Sequence, residues 1–207
     1  MIKAILFDMD GVLIDAKDWH YEALNKALGL FGLEISRYDH LHTFDGIPTK
    51  VKLKMLGEQY YLPEELHPFI NQIKQKYTQE LIELKCKPMF HHEYALSKLK
   101  QQGYKIAVCS NSIKATIEMM MKKAELIEYI DLIISNEDVK KAKPDPEMYN
   151  MAIKKFALSP IECLVVEDNP NGIAAAKASG AFVLPVGTVY DVNYANIMKA
   201  IKRSEER

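Results

Sequence analysis

The chain has 207 residues, 48% hydrophobic and 27% charged, a balance that lets a globular protein bury a sizeable core. Its 27 Lys and Arg against 28 Asp and Glu leave almost no net charge, which argues against nucleic acid or an anionic membrane as a partner. Cys86, Cys109 and Cys163 are odd in number and far apart, so they mark neither a disulfide framework nor a cysteine zinc site, and a reducing cytoplasm suits them. No apolar stretch nears the roughly 20 residues of a membrane span, and the opening run is too short for a signal peptide.

Ile2 to Phe7 is an apolar run that predicts a buried strand, and it ends in Asp8-Met9-Asp10-Gly11. From about Ala16 to Lys85 the apolar residues recur at helical spacing, as in Leu24, Ala27, Leu28 and Phe31, or Phe69, Ile73 and Tyr77. This stretch is expected to be a helical insert. The pattern resumes near Pro88 with a helix over Glu93–Gln102 and a strand over Lys105–Cys109. It continues with a helix over Ile113–Ala124, a strand over Asp131–Ile134 and a helix over Asp145–Phe156. A strand over Cys163–Val166, a helix over Gly172–Ser179 with Gly180 as its C-cap, and a strand over Ala181–Leu184 complete it. The strand runs lack polar alternation, as expected of a parallel sheet covered on both faces. The expectation is an α/β fold: a Rossmann-like three-layer core with a parallel sheet, over residues 1–15 and 86–207, and a small α-helical cap domain over 16–85. The all-polar tail from Lys202 to Arg207 is expected to fray.

Four polar clusters follow strands or precede helices, and in an open parallel sheet such positions converge beyond the carboxyl ends of the strands. In Asp8-Met9-Asp10-Gly11, one carboxylate can attack phosphorus while the other exchanges a proton, with Gly11 allowing the sharp turn; the competing reading is a plain Asp-x-Asp-Gly turn. Ser110-Asn111 reads either as an anion-binding helix N-terminus or as an ordinary N-cap. In Lys143-Pro144-Asp145-Pro146 the lysine offers a point charge to phosphate or is a surface lysine. Glu167 and Asp168 are adjacent carboxylates whose repulsion a cation relieves, and oxygen ligands beside a phosphate suit Mg²⁺. Together these are a nucleophile, an acid/base, a metal site and two phosphate clamps, which is what phosphoryl transfer requires.

The run Asp8-Met-Asp-Gly-Val-Leu-Ile-Asp15, with Ser110, Lys143 and Glu167-Asp168 following in order, resembles the four motifs of the haloacid dehalogenase-like superfamily, and its β-phosphoglucomutase-like phosphatases and mutases in particular. The resemblance spans essentially the whole chain. It implies that Asp8 forms an aspartyl-phosphate and that Asp10 is the general acid and base, its backbone carbonyl also touching Mg²⁺. Ser110 and Lys143 would hold the phosphoryl group, with backbone N–H groups near Met9 and Asn111 cradling its oxygens. Glu167 and Asp168 would complete the metal site with Asp8. The second aspartate, Asp10, separates this chain from the metal-free dehalogenase branch.

There are departures from the mutase pattern. Ala16 stands in place of a threonine, and the cap stretch Gly46-Ile47-Pro48-Thr49-Lys50 lacks an arginine that binds a second phosphate. Lys50 is the candidate substitute, but it cannot reproduce the bidentate contact of a guanidinium. His20 matches a cap-side histidine or is a half-buried helix residue. His91-His92 has no mechanistic reading. The expectation is a cytoplasmic, Mg²⁺-dependent phosphatase, a monomer or weak dimer, acting on a small-molecule phosphate ester of the sugar or polyol class. The alternative is a β-phosphoglucomutase-like isomerase, with a non-catalytic binding protein as a third reading.

Overall fold

The computed structural model describes residues 1–206, which form two compact units: Met1–Asp15 together with the chain from Lys87 onward, and Ala16–Cys86. The chain enters through β1 (Ala4–Phe7) and passes after Asp15 into the helical unit.

That unit holds α1 (Lys17–Gly29), the short α2 (Arg37–Asp39) running into a π-helical turn over His40–Phe44, α3 (Thr49–Tyr60) and α4 (His67–Lys85). Its core is built from the helical spacing of the sequence. Leu24, Ala27 and Leu28 of α1 meet Leu53 and Leu56 of α3 and Ile70 of α4. The loop after α1 is tied down by Asn25, whose side chain donates to the Ile35 carbonyl and accepts from the Ile35 N–H, both at 2.9 Å.

The chain returns in α5 (Phe90–Gln101), β2 (Lys105–Cys109), α6 (Lys114–Lys123), β3 (Leu132–Ile134), α7 (Glu147–Lys155), β4 (Cys163–Glu167), α8 (Pro170–Ala178), β5 (Phe182–Pro185) and α9 (Tyr194–Glu205). All five strands run parallel in the order β3-β2-β1-β4-β5. Ala4, Leu6, Ala107, Cys109, Cys163 and Val165 pack on one face against Met148, Tyr149 and Ala152 of α7 and Ala175 and Ala176 of α8. The alternate residues, such as Ile5, Phe7, Val108 and Val166, point the other way and are equally buried. Two covered faces explain why the strands read as unbroken apolar runs.

The α9 helix is not among the expected elements, and the polar tail does not fray where expected: the helix continues through Lys202 and Arg203 to Glu205 because Ile197 and Ile201 bury its other face. Arg207 lies outside the described residues. The His91-His92 pair has a structural use. Both rings meet the Val189 carbonyl, at 3.2 Å and 2.8 Å, and tie the start of α5 to the 3₁₀ turn Val189–Asp191. Burial pulls the His92 pKa down to about 4, so the ring is neutral and its Nε2–H donates to that carbonyl. None of the described helices is long and apolar enough to cross a membrane.

Strand order places the functional end of the sheet. From β1 the chain builds β2 and β3 on one side, then crosses to β4 and β5 on the other. The carboxyl end of β1 is therefore the switch point, where neighbouring connections diverge and leave a crevice. Phe7 is in register with Val108 and Val166, so one step further on Asp8 stands between Cys109 and Glu167.

Candidate active site

Asp8 is fixed first by its backbone, whose N–H donates to Val166 O at 3.0 Å as a continuation of the sheet. The loop that follows folds back on itself: the N–H groups of Leu13 and Ile14 both donate to Met9 O at 2.9 Å, and Gly11 N–H donates to Ile14 O at 2.6 Å. Gly11 takes φ +86°, a conformation that disfavours any residue with a Cβ. Buried Met9, Val12, Leu13 and Ile14 anchor this turn from below. The Asp-x-Asp-Gly segment is thus both a turn and the carrier of two carboxylates. Asp10 accepts from the Ser112 hydroxyl at 3.2 Å, which joins the first motif to the loop after β2.

Lys143 is not a surface lysine. It is 6% exposed, and its ammonium has three protons and three acceptors: Asp8 Oδ1 at 2.7 Å, Glu167 Oε1 at 2.6 Å and Cys109 O at 2.7 Å. Burial alone would lower its pKa, but Asp8 and then Glu167 outweigh it and hold the lysine above its ordinary range. Asp8 is pushed well above the usual carboxylate range, by burial first and by Glu167 second, with Lys143 pulling the other way. The site is therefore short of positive charge.

Carboxylate oxygens of Asp8, Glu167 and Asp168 all lie within 4.8 Å of one another. These are hard oxygen donors of the kind Mg²⁺ takes, and a divalent cation there would act on Asp8 in the same direction as Lys143. The donor chemistry and the crowding of negative charge both fit such an ion.

Ser110 and Asn111 are brought to the same crevice but do not start a helix. The α6 helix begins at Lys114 with Ile113 as N-cap, within one residue of the expected start, so neither Ser110 nor Asn111 caps it. The reason lies in their side chains. Ser110 Oγ accepts from the Ser112 N–H at 3.1 Å, and Asn111 turns to the Lys143 backbone, accepting from its N–H at 3.1 Å and donating to its carbonyl at 3.4 Å. The Asn111 amide thus holds Lys143 in place. Glu137 supplies the cap that α6 lacks, accepting from Lys114 N–H at 2.8 Å.

The other two sequence candidates belong to the helical unit. His20 sits on α1, half-buried, with Nδ1 3.3 Å from the buried Lys74 Nζ on α4. Lys50 is exposed in the first turn of α3, whereas Lys52, two residues on and on the opposite side of the helix, is buried. Lys52 raises the potential at the buried His40 ring, whose pKa falls to about 4, through burial first and Lys52 second. Lys52, Lys74, Ser112 and Tyr149 were not singled out from the sequence. Two lysines on the apolar face of a helix were the readable signal for the first pair. For Tyr149 the signal was a hydroxyl on the buried face of α7, which needs a partner there.

A family model described as haloacid dehalogenase-like hydrolase matches residues 5–186. The chain belongs to the haloacid dehalogenase-like hydrolases. Among curated relatives, the phosphorylated carbohydrates phosphatase of Thermotoga maritima is 28% identical over 195 residues, covering 93% of this chain and 88% of that protein. The pyrophosphatase PpaX of Bacillus cereus is 28% identical over 193 residues, covering 86% and 80%. Among solved structures, β-phosphoglucomutase from Clostridium difficile superposes over 100% of both chains with a TM-score of 0.87 at 25% identity. The α/β core with its parallel sheet is the fold of this hydrolase family. This haloacid dehalogenase-like chain is an enzyme, and a buried carboxylate held by an ammonium beside further carboxylates is the arrangement of a phosphoric monoester hydrolase.

Proposed function

We propose that the protein hydrolyses a small phosphate monoester, of the sugar or polyol phosphate class, through an aspartyl-phosphate on Asp8. The observation that carries this reading is the Lys143 ammonium, buried and bonded to Asp8 at 2.7 Å, with Asp168 and Glu167 alongside. Lys143 pulls the buried Asp8 toward its ionised form and orients it as a nucleophile, and its charge offsets the negative charge that gathers as phosphoryl oxygens approach. Asp10 stands two residues on, oriented by Ser112, where it protonates the departing alcohol oxygen and then takes the proton of the water that attacks phosphorus in the second half-reaction. Backbone N–H groups of the Met9 and Asn111 loops, with the Ser110 hydroxyl, are assigned to the phosphoryl oxygens.

Mg²⁺ is the cofactor of this reading: Asp8, Glu167, Asp168 and the Asp10 carbonyl would hold it, and its charge would neutralise the transferring group. Residues 16–85 are read as the cap that discriminates among substrates, with His20, Lys50, Lys52 and Lys74 as its candidate contacts. Relatives named for phosphorylated carbohydrates and for pyrophosphate set the substrate range to test.

The test is phosphate release from a panel of sugar, polyol and nucleoside phosphates and pyrophosphate, with Mg²⁺ and with EDTA. Metal-dependent release from a few related esters, abolished by Asp8→Asn and slowed roughly 100- to 10,000-fold by Asp10→Asn, is the expected outcome. Near wild-type turnover in Asp8→Asn refutes the nucleophile. The likeness to a β-phosphoglucomutase over the full chain keeps one second reading, sugar phosphate isomerisation. Isomer formation on addition of a sugar bisphosphate, without inorganic phosphate, would favour it.

A further inference from the structure

Glu167 is held as completely as Lys143. Its Oε1 accepts from Lys143 Nζ and from the Tyr149 hydroxyl, each at 2.6 Å. Its Oε2 accepts from the backbone N–H groups of Asp168 at 3.1 Å and Asn169 at 3.4 Å. A carboxylate has about four lone-pair directions, so all of them are in use.

Tyr149 touches both members of the buried pair. Its hydroxyl bonds Glu167, and its ring lies under the Lys143 ammonium with Nζ 4.8 Å from the ring centroid. The side chain is fully buried on α7, six residues beyond the lysine it supports. Loop and helix are one piece: Asp145 accepts from the Glu147 N–H, and the Glu147 carboxylate accepts from the N–H groups of Lys140 and Lys141. Burial, and then the Glu167 carboxylate, hold the phenol well above its ordinary pKa, so it acts as a fixed donor.

We propose that Tyr149 is the positioning residue that keeps Glu167 on Lys143. Without the phenol donor, Glu167 swings away from Lys143, the ammonium loses one of its three acceptors, and its grip on Asp8 loosens. This inference rests on the reading of Asp8 as nucleophile.

The test compares wild type, Tyr149→Phe and Glu167→Gln, after confirming folding by circular dichroism. Two readouts are taken: kcat and KM on the best ester of the panel, and the Kd for Mg²⁺ alone by calorimetry without substrate. Tyr149→Phe keeps the ring and its contact with the ammonium and removes one hydrogen bond to a charged group, so about a tenfold fall in kcat is expected. KM and the Mg²⁺ Kd should stay within threefold in Tyr149→Phe, which changes no charge, whereas Glu167→Gln removes a charge from the acidic cluster and weakens Mg²⁺ as well as turnover. A loss of kcat under threefold in Tyr149→Phe overturns the proposal, as does a Mg²⁺ Kd weakened more than threefold in that variant. Should Tyr149→Phe not fold, Tyr149→Met, which also removes the hydroxyl, is measured in its place by the same criteria. Asp8→Asn run alongside separates the two readings: turnover there sinks the nucleophile, whatever the Tyr149 variant does.

Discussion

Asn111 grips the backbone of Lys143 from both sides, accepting from its N–H at 3.1 Å and donating to its carbonyl at 3.4 Å, across 32 residues of sequence. The lysine side chain can reach Asp8, Glu167 and Cys109 O together only if its backbone stands at one height above the sheet. Asn111 sets that height. Asn111→Ala leaves two buried backbone groups short of a partner, which costs about 1–3 kcal/mol. Expected with it is a fall in kcat of tenfold or more, as Lys143 loses its register with Asp8. Denaturant unfolding and steady-state kinetics check both. A destabilised variant with wild-type kcat would show that the lysine finds its place without the amide.

Gly172, the third residue of α8, gives the second prediction. Replacing an interior helical glycine by alanine ordinarily stabilises by roughly 0.5–1 kcal/mol. Here a Cβ would fall 1.8 Å from Glu167 Oε1 and 2.0 Å from its carboxyl carbon. The carboxylate cannot retreat while Lys143, Tyr149 and two backbone N–H groups hold it. Gly172→Ala should therefore reverse the usual sign and destabilise by about 1–3 kcal/mol, the cost of overpacking a filled site. Its kcat should fall with Tyr149→Phe. A melting temperature at or above wild type would show that Glu167 has room to move.

Much of this was legible along the chain. The five strands announce themselves as apolar runs because both faces of the sheet are covered, and Asp8 with Asp10 is legible because two carboxylates and Gly11 are neighbours in sequence. What was hidden depends on contacts between distant residues. Lys143 reads equally as a surface lysine until the fold brings Asp8, 135 residues away, to its ammonium. Ser110-Asn111 has the composition of an N-cap, yet the Asn111 amide is spent on a loop that only the fold brings near. Tyr149 falls in with Met148, Ala152 and Ile153 as one more core residue of α7, and its hydroxyl becomes informative only once Glu167 is opposite it. Lys52 and Lys74 follow the same logic: a lysine on an apolar face was visible, its burial was not.

His92 carries a pH prediction. Its pKa is about 4 in the folded protein against an ordinary 6.5, lowered by burial. Above pH 6.5 the ring is neutral in both folded and unfolded chains and stability does not depend on it. Between 6.5 and about 4 the unfolded chain binds a proton that the folded chain refuses, so stability falls as the pH falls, and below about 4 the loss levels off. At pH 5 the loss from His92 is about 2 kcal/mol. His40, also near 4, adds to it in the helical unit. Urea unfolding at pH 7 and pH 5 measures the slope. His92→Asn, whose amide can still donate to Val189 O, should flatten it. An unchanged slope in that variant would remove His92 as the cause.

Removal of the metal should act on stability as well as on turnover, and Asp168 is the residue that separates the two effects. Asp168 adds to the negative potential that raises the Asp8 pKa, behind burial and Glu167. A cation bound among these carboxylates stabilises the folded chain by mass action, about 2.7 kcal/mol at a hundred times its Kd. Wild type should therefore melt at rising temperature along a Mg²⁺ titration and fall back in EDTA. Asp168→Asn removes a metal oxygen of full charge and relieves repulsion on Asp8 at once. It should melt at or above wild type in EDTA, and below it at millimolar Mg²⁺, with the midpoint of the Mg²⁺ response moved at least tenfold higher. The crossing of the two curves is the signature of a metal site. Were Asp168→Asn to track the wild-type response at every Mg²⁺ concentration, Asp168 would not be a ligand, and the cation would have to be sought around other oxygens of the crevice.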